Sequence, residues 1–165
     1  MNQTLIRGLA PAATVGAILL AAATACGGGT SSASTPKPSA SASSSSPAGP
    51  SQYLTADQAA KSATLKLNIT GFNFDGYRQG QMVVNVPQGW KVTVDCSNKT
   101  SVAHSCAIAA PNATTPAFPG ASSPNPTAGL QPGDAATFTF TADQVGAYRI
   151  ACLVPGHESG GMWDT

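Results

Sequence analysis

The stretch CLVPGHESGGM, residues 152–162, indicates which fold and which site this chain can form. It places Cys152, His157 and Met162 in one glycine-rich loop with the spacing Cys-x4-His-x4-Met. Thiolate and thioether sulfur suit Cu(I), and imidazole suits both oxidation states of copper. The Pro-Gly pair between the first two of these residues stiffens and shapes the turn. We therefore interpret the stretch as three ligands of one copper site.

The fourth candidate ligand is His104, which is predicted at the start of a strand far upstream. The chain contains only two histidines. A blue-copper site needs two imidazoles, one thiolate and a weak axial thioether. His104, Cys152, His157 and Met162 supply that set for a single Cu(I)/Cu(II) ion. A ligand on a separate strand would let the β framework hold the site.

Each of these residues also has an ordinary structural interpretation. A single Cys in an apolar strand is usually a small core residue, and a single Met usually fills a gap in the core. A single His is more often structural than a ligand. The ordered spacing of all four favours a metal site. Zinc is the rival metal, but it prefers Cys, His and carboxylate ligands to Met.

Alternating apolar residues upstream of this loop predict an all-β domain over residues 52–165. Gly, Pro, Ser and Thr separate the apolar runs, which favours short strands over helices. We expect about seven to eight strands in two packed antiparallel sheets. The predicted strands include residues 65–69, 82–86, 92–96, 104–108, 137–141 and 147–152.

Two further stretches of this domain carry predictions of their own. Thr55-Ala56-Asp57-Gln58 fits a capping box and predicts a short helix over about residues 55–61. Residues 110–134 are rich in Pro, Ala, Ser and Asn. A loop of this length is usually functional or disordered, and the sequence does not separate the two.

The first 51 residues are typical of an export signal and a tether. Small residues directly precede Cys26, as a lipoprotein signal peptidase requires. We predict a signal peptide over residues 1–25, lipidation of Cys26, and a flexible linker over residues 26–51. An uncleaved transmembrane helix and simple secretion are the alternatives. Lipidation, an uncleaved helix and simple secretion would all place the domain outside the cytoplasm. Lipidation would anchor it at the outer face of the membrane or in the periplasm.

The charge of the chain excludes some partners. Charged residues make up 9% of the sequence and the net charge is +1. A nucleic-acid-binding protein would need a clustered basic face, so we expect no nucleic-acid partner. We also expect a monomer. A copper oxidase or nitrite reductase needs further copper centres and more than two histidines. We therefore expect no enzymatic activity.

The copper loop with its flanks, residues 148–163, resembles that of sulfocyanins, a family of the cupredoxin superfamily. Four upstream segments are also similar: FNFDG (72–76), GQM (80–82), VPQGWKV (86–92) and VAHS (102–105). The resemblance covers about residues 65–163. The sequence departs from it at Cys106, where family members commonly carry a large apolar residue. Because three residues follow Met162, we expect no further strand on that side of the site.

The resemblance implies a Greek-key β-sandwich that holds one type 1 copper ion. His104, Cys152 and His157 would be the equatorial ligands and Met162 the axial one. Ser105 would donate a hydrogen bond toward the ligand loop, a contact that holds ligands and tunes the potential. The implied function is one-electron transfer with redox proteins of a respiratory or copper-dependent chain. The alternatives are an extracytoplasmic copper carrier or metallochaperone, and a structural domain without metal.

Two cysteines remain once Cys26 is assigned to lipid and Cys152 to copper. Cys106 shares the parity of His104, and Cys96 shares that of the apolar residues in its own strand. Both should therefore face the core, where a disulfide between them would add about 2–3 kcal/mol. Two buried thiols are the alternative.

Outer-sphere electron transfer is expected through an exposed edge of His157. The loop around it is apolar, which suggests a docking patch for the redox partner. The candidate patch residues are Leu153, Val154, Pro155 and Trp163.

Overall fold

Residues 47–165 are described by the structure, a computed structural model. They form eight β-strands and no helix, which confirms the all-β prediction. The strands are β1 (Leu54–Asp57), β2 (Ser62–Gly71), β3 (Asn73–Phe74), β4 (Lys91–Asn98), β5 (Ala107–Ala109), β6 (Ala135–Thr141), β7 (Arg149–Ala151) and β8 (Trp163–Asp164). The predicted signal peptide, Cys26 and most of the predicted linker lie outside the described residues. Nothing in residues 47–165 forms a helix long and apolar enough to span a membrane.

The strands are arranged in two sheets. The larger one has the order β1-β2-β4-β6, with β3 also paired to β2, and the smaller one has the order β5-β7-β8. The pair β2–β4 is parallel, and the other pairs are antiparallel. Parallel neighbours require a crossover connection rather than a hairpin. The chain also leaves the larger sheet for β5 and returns for β6, so it crosses between layers as a Greek-key sandwich does.

The long strands of the larger sheet bury one face each, because their apolar side chains recur at every second position. In β2 the residues Leu65, Leu67 and Ile69 are buried, and Lys66 between them is exposed. In β6 Phe138 and Phe140 face inward, while the threonines beside them face solvent. This layer packs against the smaller sheet in one core that also contains Ile108 and Ile150.

A disulfide links the two sheets close to the predicted site. Cys96 of β4 is bonded to Cys106, the residue before β5, and both are buried. The Cα atoms of the two cysteines are 6.2 Å apart. The predicted pairing is therefore confirmed, and the alternative of two free thiols is excluded. Because Cys106 lies two residues after His104, the disulfide also anchors the segment that carries this histidine.

The predicted helix over residues 55–61 is wrong. Leu54–Asp57 form β1, which pairs with β2 in a tight hairpin. The capping interaction is present, since Asp57 Oδ1 accepts a hydrogen bond from the amide of Ala60 at 2.9 Å. It closes the hairpin turn instead of starting a helix, and Lys61 follows with a positive φ of 48°. Pairing with the long strand β2 outweighs the local preference.

The predicted strand over residues 82–86 is also wrong, although the alternating burial is real. Met82 is buried and Val83 is half exposed. The backbone of residues 82–86 makes isolated hydrogen bonds to two other segments, which contain Ala48 and Thr165. Val84 N donates to Thr165 O at 2.7 Å, and Asn85 N donates to Ala48 O at 2.6 Å. Because no neighbouring strand pairs with this segment along its length, it does not form a regular strand.

Two expectations around the site need correction. A further strand does follow Met162, because Trp163–Asp164 form β8 and pair with β7. His104 does not start a strand either, since the ladder of β5 begins at Ala107. His104 instead forms an isolated bridge with Leu130.

Candidate metal centre

The ligand loop begins where β7 ends. Cys152 directly follows this strand and is fully buried. Backbone hydrogen bonds close the loop on itself. Cys152 N donates to Met162 O at 3.2 Å, Met162 N donates to His157 O at 3.0 Å, and His157 N donates to Val154 O at 3.0 Å. The three predicted ligands of the loop are thus tied to one another through the main chain.

His104 is held from the long loop that the sequence left unassigned. The amide of His104 donates to Leu130 O at 3.2 Å, and the amide of Leu130 donates to His104 O at 2.7 Å. Gly129 has a φ of +81°, and a Cβ at this position would lie 2.9 Å from both N and O of His104. Residues 110–134 therefore have a structural role, which is to clamp the upstream histidine.

The donor atoms of His104, Cys152 and His157 lie within 4.8 Å of one another. Cys152 Sγ is 3.9 Å from His104 Nδ1 and 3.3 Å from His157 Nδ1. The two Nδ1 atoms are 3.1 Å apart. Three donors placed around one ion at about 2.0–2.3 Å would be roughly 3.5 Å apart. The separations and the donor chemistry therefore fit a trigonal metal site with two imidazoles and one thiolate.

Met162 is adjacent to this group of donors. Its side chain is fully buried, and its backbone bonds to both Cys152 and His157. The preceding residue, Gly161, has a φ of +94° and is packed against the side chain of Gln79, whose Nε2 would lie 2.5 Å from an added Cβ. A larger residue at position 161 would be strained by this φ and would push the side chain of Gln79 aside.

Ser105 connects the histidine segment to the ligand loop. Its amide donates to Cys152 Sγ at 3.2 Å, and its hydroxyl lies 3.7 Å from the same sulfur. The hydroxyl oxygen also accepts a hydrogen bond from the amide of Leu153 at 2.9 Å. Hydrogen bonds to the sulfur favour the thiolate, which is the form that binds metal.

Burial sets the protonation of the three donors. It lowers the pKa of His157. The pKa of His104 is lowered chiefly by burial and also by the charge of His157. Both imidazoles are therefore held in the neutral form that binds metal. Burial raises the pKa of the Cys152 thiol, and the hydrogen bonds from Ser105 and Val154 oppose this effect only in part. A bound cation would supply the charge that stabilises the thiolate.

An aromatic ring covers the two imidazoles from outside. The ring centroid of Phe72 lies 5.3 Å from that of His104 and 4.6 Å from that of His157. Phe72 is nevertheless 45% exposed. The sequence analysis included this residue in the segment FNFDG (72–76), which is similar to sulfocyanins, but assigned it no role at the site. Its position between two strands, next to polar neighbours, contains no signal that it reaches the site.

A model of the Sulfocyanin (SoxE) domain matches residues 56–165. The chain belongs to the sulfocyanin domain family. The sulfocyanin of Sulfolobus acidocaldarius is 28% identical over 109 residues, which cover 58% of this chain and 55% of the relative. The chain thus matches about half the length of that protein.

A solved structure is also similar to this sulfocyanin domain. It is dithionite-reduced auracyanin from the photosynthetic bacterium Roseiflexus castenholzii, at 24% identity and a TM-score of 0.44. The match covers 61% of this chain and 92% of auracyanin.

The predicted docking patch of the sulfocyanin domain is only partly at the surface. Leu153 is 6% exposed and packs against the small residues Ala107, Ala109 and Ala151, so it cannot contact a partner. Pro155 is exposed, and Val154 and Trp163 are half-buried. The apolar surface beside His157 therefore consists chiefly of Pro155 and Phe72.

Proposed function

We propose that this domain is a type 1 copper protein that carries single electrons between redox proteins. One observation supports this most strongly: Nδ1 of His104, Nδ1 of His157 and Sγ of Cys152 lie within 3.9 Å of one another. In the proposed site these three atoms and the thioether of Met162 would hold the copper ion. A bound copper ion would supply a one-electron couple.

The protein's contribution is a donor set that moves little when the electron arrives or leaves. The disulfide and Gly129 fix the segment of His104, and backbone hydrogen bonds fix the loop of Cys152, His157 and Met162. Donors that keep their positions in both oxidation states reduce the reorganisation that electron transfer requires. The buried position of Cys152 also keeps water and foreign thiols away from the sulfur.

We propose that electrons pass through the surface formed by His157 and Phe72. His157 is half-buried, and the ring of Phe72 lies against both imidazoles while remaining exposed. This surface replaces the loop patch expected from sequence, in which Leu153 is buried. A redox protein that docks there would approach the donor set through two rings in direct contact.

The first experiment is a visible and EPR spectrum of the purified full chain with Cu(II). We expect an intense blue thiolate-to-copper band and a narrow hyperfine splitting, both lost in Cys152→Ser. A weak ligand-field spectrum would contradict the proposal and favour a copper carrier or metallochaperone. Met162→Leu tests the axial role separately, because it should keep the blue band and change the reduction potential.

We further propose that the domain works outside the cytoplasm, tethered by a lipid on Cys26. The disulfide between Cys96 and Cys106 supports an oxidising compartment. Small residues before Cys26 and the linker that follows support the lipid anchor. Mass spectrometry of the protein isolated from its native membrane should show a diacylglyceryl mass on Cys26. A Cys26→Ala variant that remains in the membrane fraction would contradict the anchor.

A further inference from the structure

Arg149 connects three parts of the chain around the ligand loop. It lies on β7, and its Nη1 atom is 2.6 Å from Glu158 Oε1 and 3.1 Å from Asn112 Oδ1. Its guanidinium also stacks on the ring of Trp163, with Cζ 4.0 Å from the ring centroid. One side chain therefore joins the ligand loop, the long loop and β8.

The partners of Arg149 are the neighbours of the proposed ligands. Glu158 directly follows His157, and Trp163 directly follows Met162. The strand that carries Arg149 leads into Cys152. Each of the three donors in the loop therefore has a sequence neighbour linked to Arg149. Cys152 follows the strand that carries Arg149, and His157 and Met162 precede residues that the Arg149 side chain contacts. Arg149 itself is not one of the donors in the group.

Asn112 adds a second connection to the same carboxylate. Its amide donates to Glu158 Oε1 at 3.0 Å, and its side-chain oxygen accepts from Arg149. Asn112 has a positive φ of 62°, a conformation that Asn tolerates better than most residues. Glu158 is therefore held from two sides, by a cation and by a backbone amide.

This ion pair is better shielded than an ordinary surface pair. The side chains of Arg149 and Glu158 are 18% and 14% exposed. Exposed pairs contribute little because water and salt screen them. Here the ring of Trp163 covers one face of the guanidinium, and the planar fork of an arginine can bond and stack at the same time. A lysine could not reproduce both contacts.

We propose that Arg149 is a positioning residue that fixes the ligand loop for metal binding. This inference deepens the proposed copper function and rests on it. Without Arg149 the segment 157–162 loses its ionic connection to β7, and the imidazole and thioether become free to leave the donor group. The consequence is faster loss of copper and a less uniform copper geometry, with the fold of both sheets unchanged.

The test compares Arg149→Met, Arg149→Lys and Glu158→Gln in the full chain. Lys66→Met is the matched control, since it removes one exposed positive charge from β2 in the other sheet. Copper transfer to a colorimetric Cu(I) chelator gives the dissociation rate, and EPR gives the hyperfine splitting. We expect dissociation to be at least about tenfold faster in Arg149→Met, intermediate in Arg149→Lys, and unchanged in the control.

A second measurement needs no copper. Amide hydrogen exchange of the apo protein should accelerate by at least about tenfold at His157 and Met162 in Arg149→Met, while the amides of β4 stay protected. An equal acceleration of amide exchange in β4 would show a general loss of stability and overturn the inference. Exchange rates at His157 and Met162 within twofold of the unmodified chain would also overturn it. If Arg149→Met does not fold, Glu158→Gln decides by the same criteria.

The two proposals fail separately. Absence of a blue spectrum in the unmodified chain overturns the copper function, and amide exchange then still decides whether Arg149 orders the loop. A blue spectrum whose copper dissociation rate is the same in all variants overturns the role of Arg149 alone.

Discussion

Ser105 illustrates how one small side chain serves the site. Its amide and hydroxyl both face Cys152 Sγ, and its hydroxyl oxygen accepts the amide of Leu153. It is fully buried, so water cannot replace these contacts. A residue without a hydroxyl at position 105, such as alanine, would leave the amide of Leu153 without this acceptor.

We predict that Ser105→Ala destabilises the apo protein by about 1–3 kcal/mol, because it leaves a buried amide unpaired. It should also shift the reduction potential, since a contact to the sulfur is lost. Chemical denaturation and redox titration measure the two effects. Ser123→Ala is the matched control, because Ser123 is also buried and its Oγ accepts a hydrogen bond from the amide of Cys106. An equal change of potential in both variants would contradict a specific role for Ser105.

Gly129 is the residue of the long loop that leaves no room for a side chain beside the backbone of His104. Gly129→Ala would add strain from a positive φ and a clash with the backbone of His104. Gly133 shares the positive φ, at +85°, but a Cβ there would meet no atom within 4 Å. Comparing the two alanine variants therefore separates the effect of backbone strain, which both share, from the effect of the clash, which only Gly129→Ala has.

For Gly133→Ala we expect a loss of about 1–2 kcal/mol from strain alone. Gly129→Ala should lose about 1–3 kcal/mol more, because the extra methyl overpacks the site. Its copper spectrum should also change, while that of Gly133→Ala stays the same. Thermal unfolding and the visible spectrum provide the comparison. Identical behaviour of the two variants would show that Gly129 does not position His104.

Among the elements, β4 and the segment before β5 are joined by the disulfide of Cys96 and Cys106. This bond connects the larger sheet to the chain that carries His104 and Ser105. It therefore has a structural role in both the sandwich and the site. The three strands of the smaller sheet are only two or three residues long, so they depend on such connections.

The double variant Cys96→Ser, Cys106→Ser should lose about 2–3 kcal/mol of stability, because the unfolded chain is no longer constrained. We expect the blue band to remain at low temperature, since neither cysteine is a proposed ligand. Denaturation of the variant is compared with that of the unmodified chain with and without reductant. If reductant has no effect on the unmodified chain, the disulfide does not contribute.

Considered as a whole, the described domain contains one buried imidazole, His104, and one half-buried imidazole, His157. Burial holds the pKa of both His104 and His157 below the ordinary value. The unfolded chain regains that ordinary value of about 6.5. As the pH falls below it, the unfolded state binds protons that the folded state resists, and the folded state loses stability.

We therefore predict that the apo protein loses stability as the pH falls below about 6.5 and that its melting temperature falls as the solution is acidified toward the lowered pKa values. Burial raises the pKa of the Asp164 carboxyl, which has the opposite effect on stability at lower pH, so the contribution of the two histidines is measured close to pH 6.5. A variant with His104→Gln and His157→Gln should show a flatter profile between about pH 6.5 and 5.5. A profile as steep as that of the unmodified chain would assign the effect to other groups.

Much of this protein could be predicted from local pattern. Period-2 alternation identified β2, β4 and β6, because a strand with one buried face must place apolar residues at every second position. The spacing of Cys152, His157 and Met162 identified the loop, since three ligands within one turn are already neighbours in sequence. Shared parity predicted that Cys96 and Cys106 both face the core, and the structure shows that they are bonded.

Other features depend on contacts between distant segments, and only the tertiary structure decided them. Asp57 caps a hairpin turn rather than a helix because β2 is available to pair with β1. Gly129 clamps His104, Phe72 covers both imidazoles, and Arg149 holds Glu158 and Trp163. Leu153 is buried because the neighbouring sheet offers alanines against which it packs. A local sequence pattern specifies which residues face inward, but which groups then meet is settled by how the two sheets and their loops fold together.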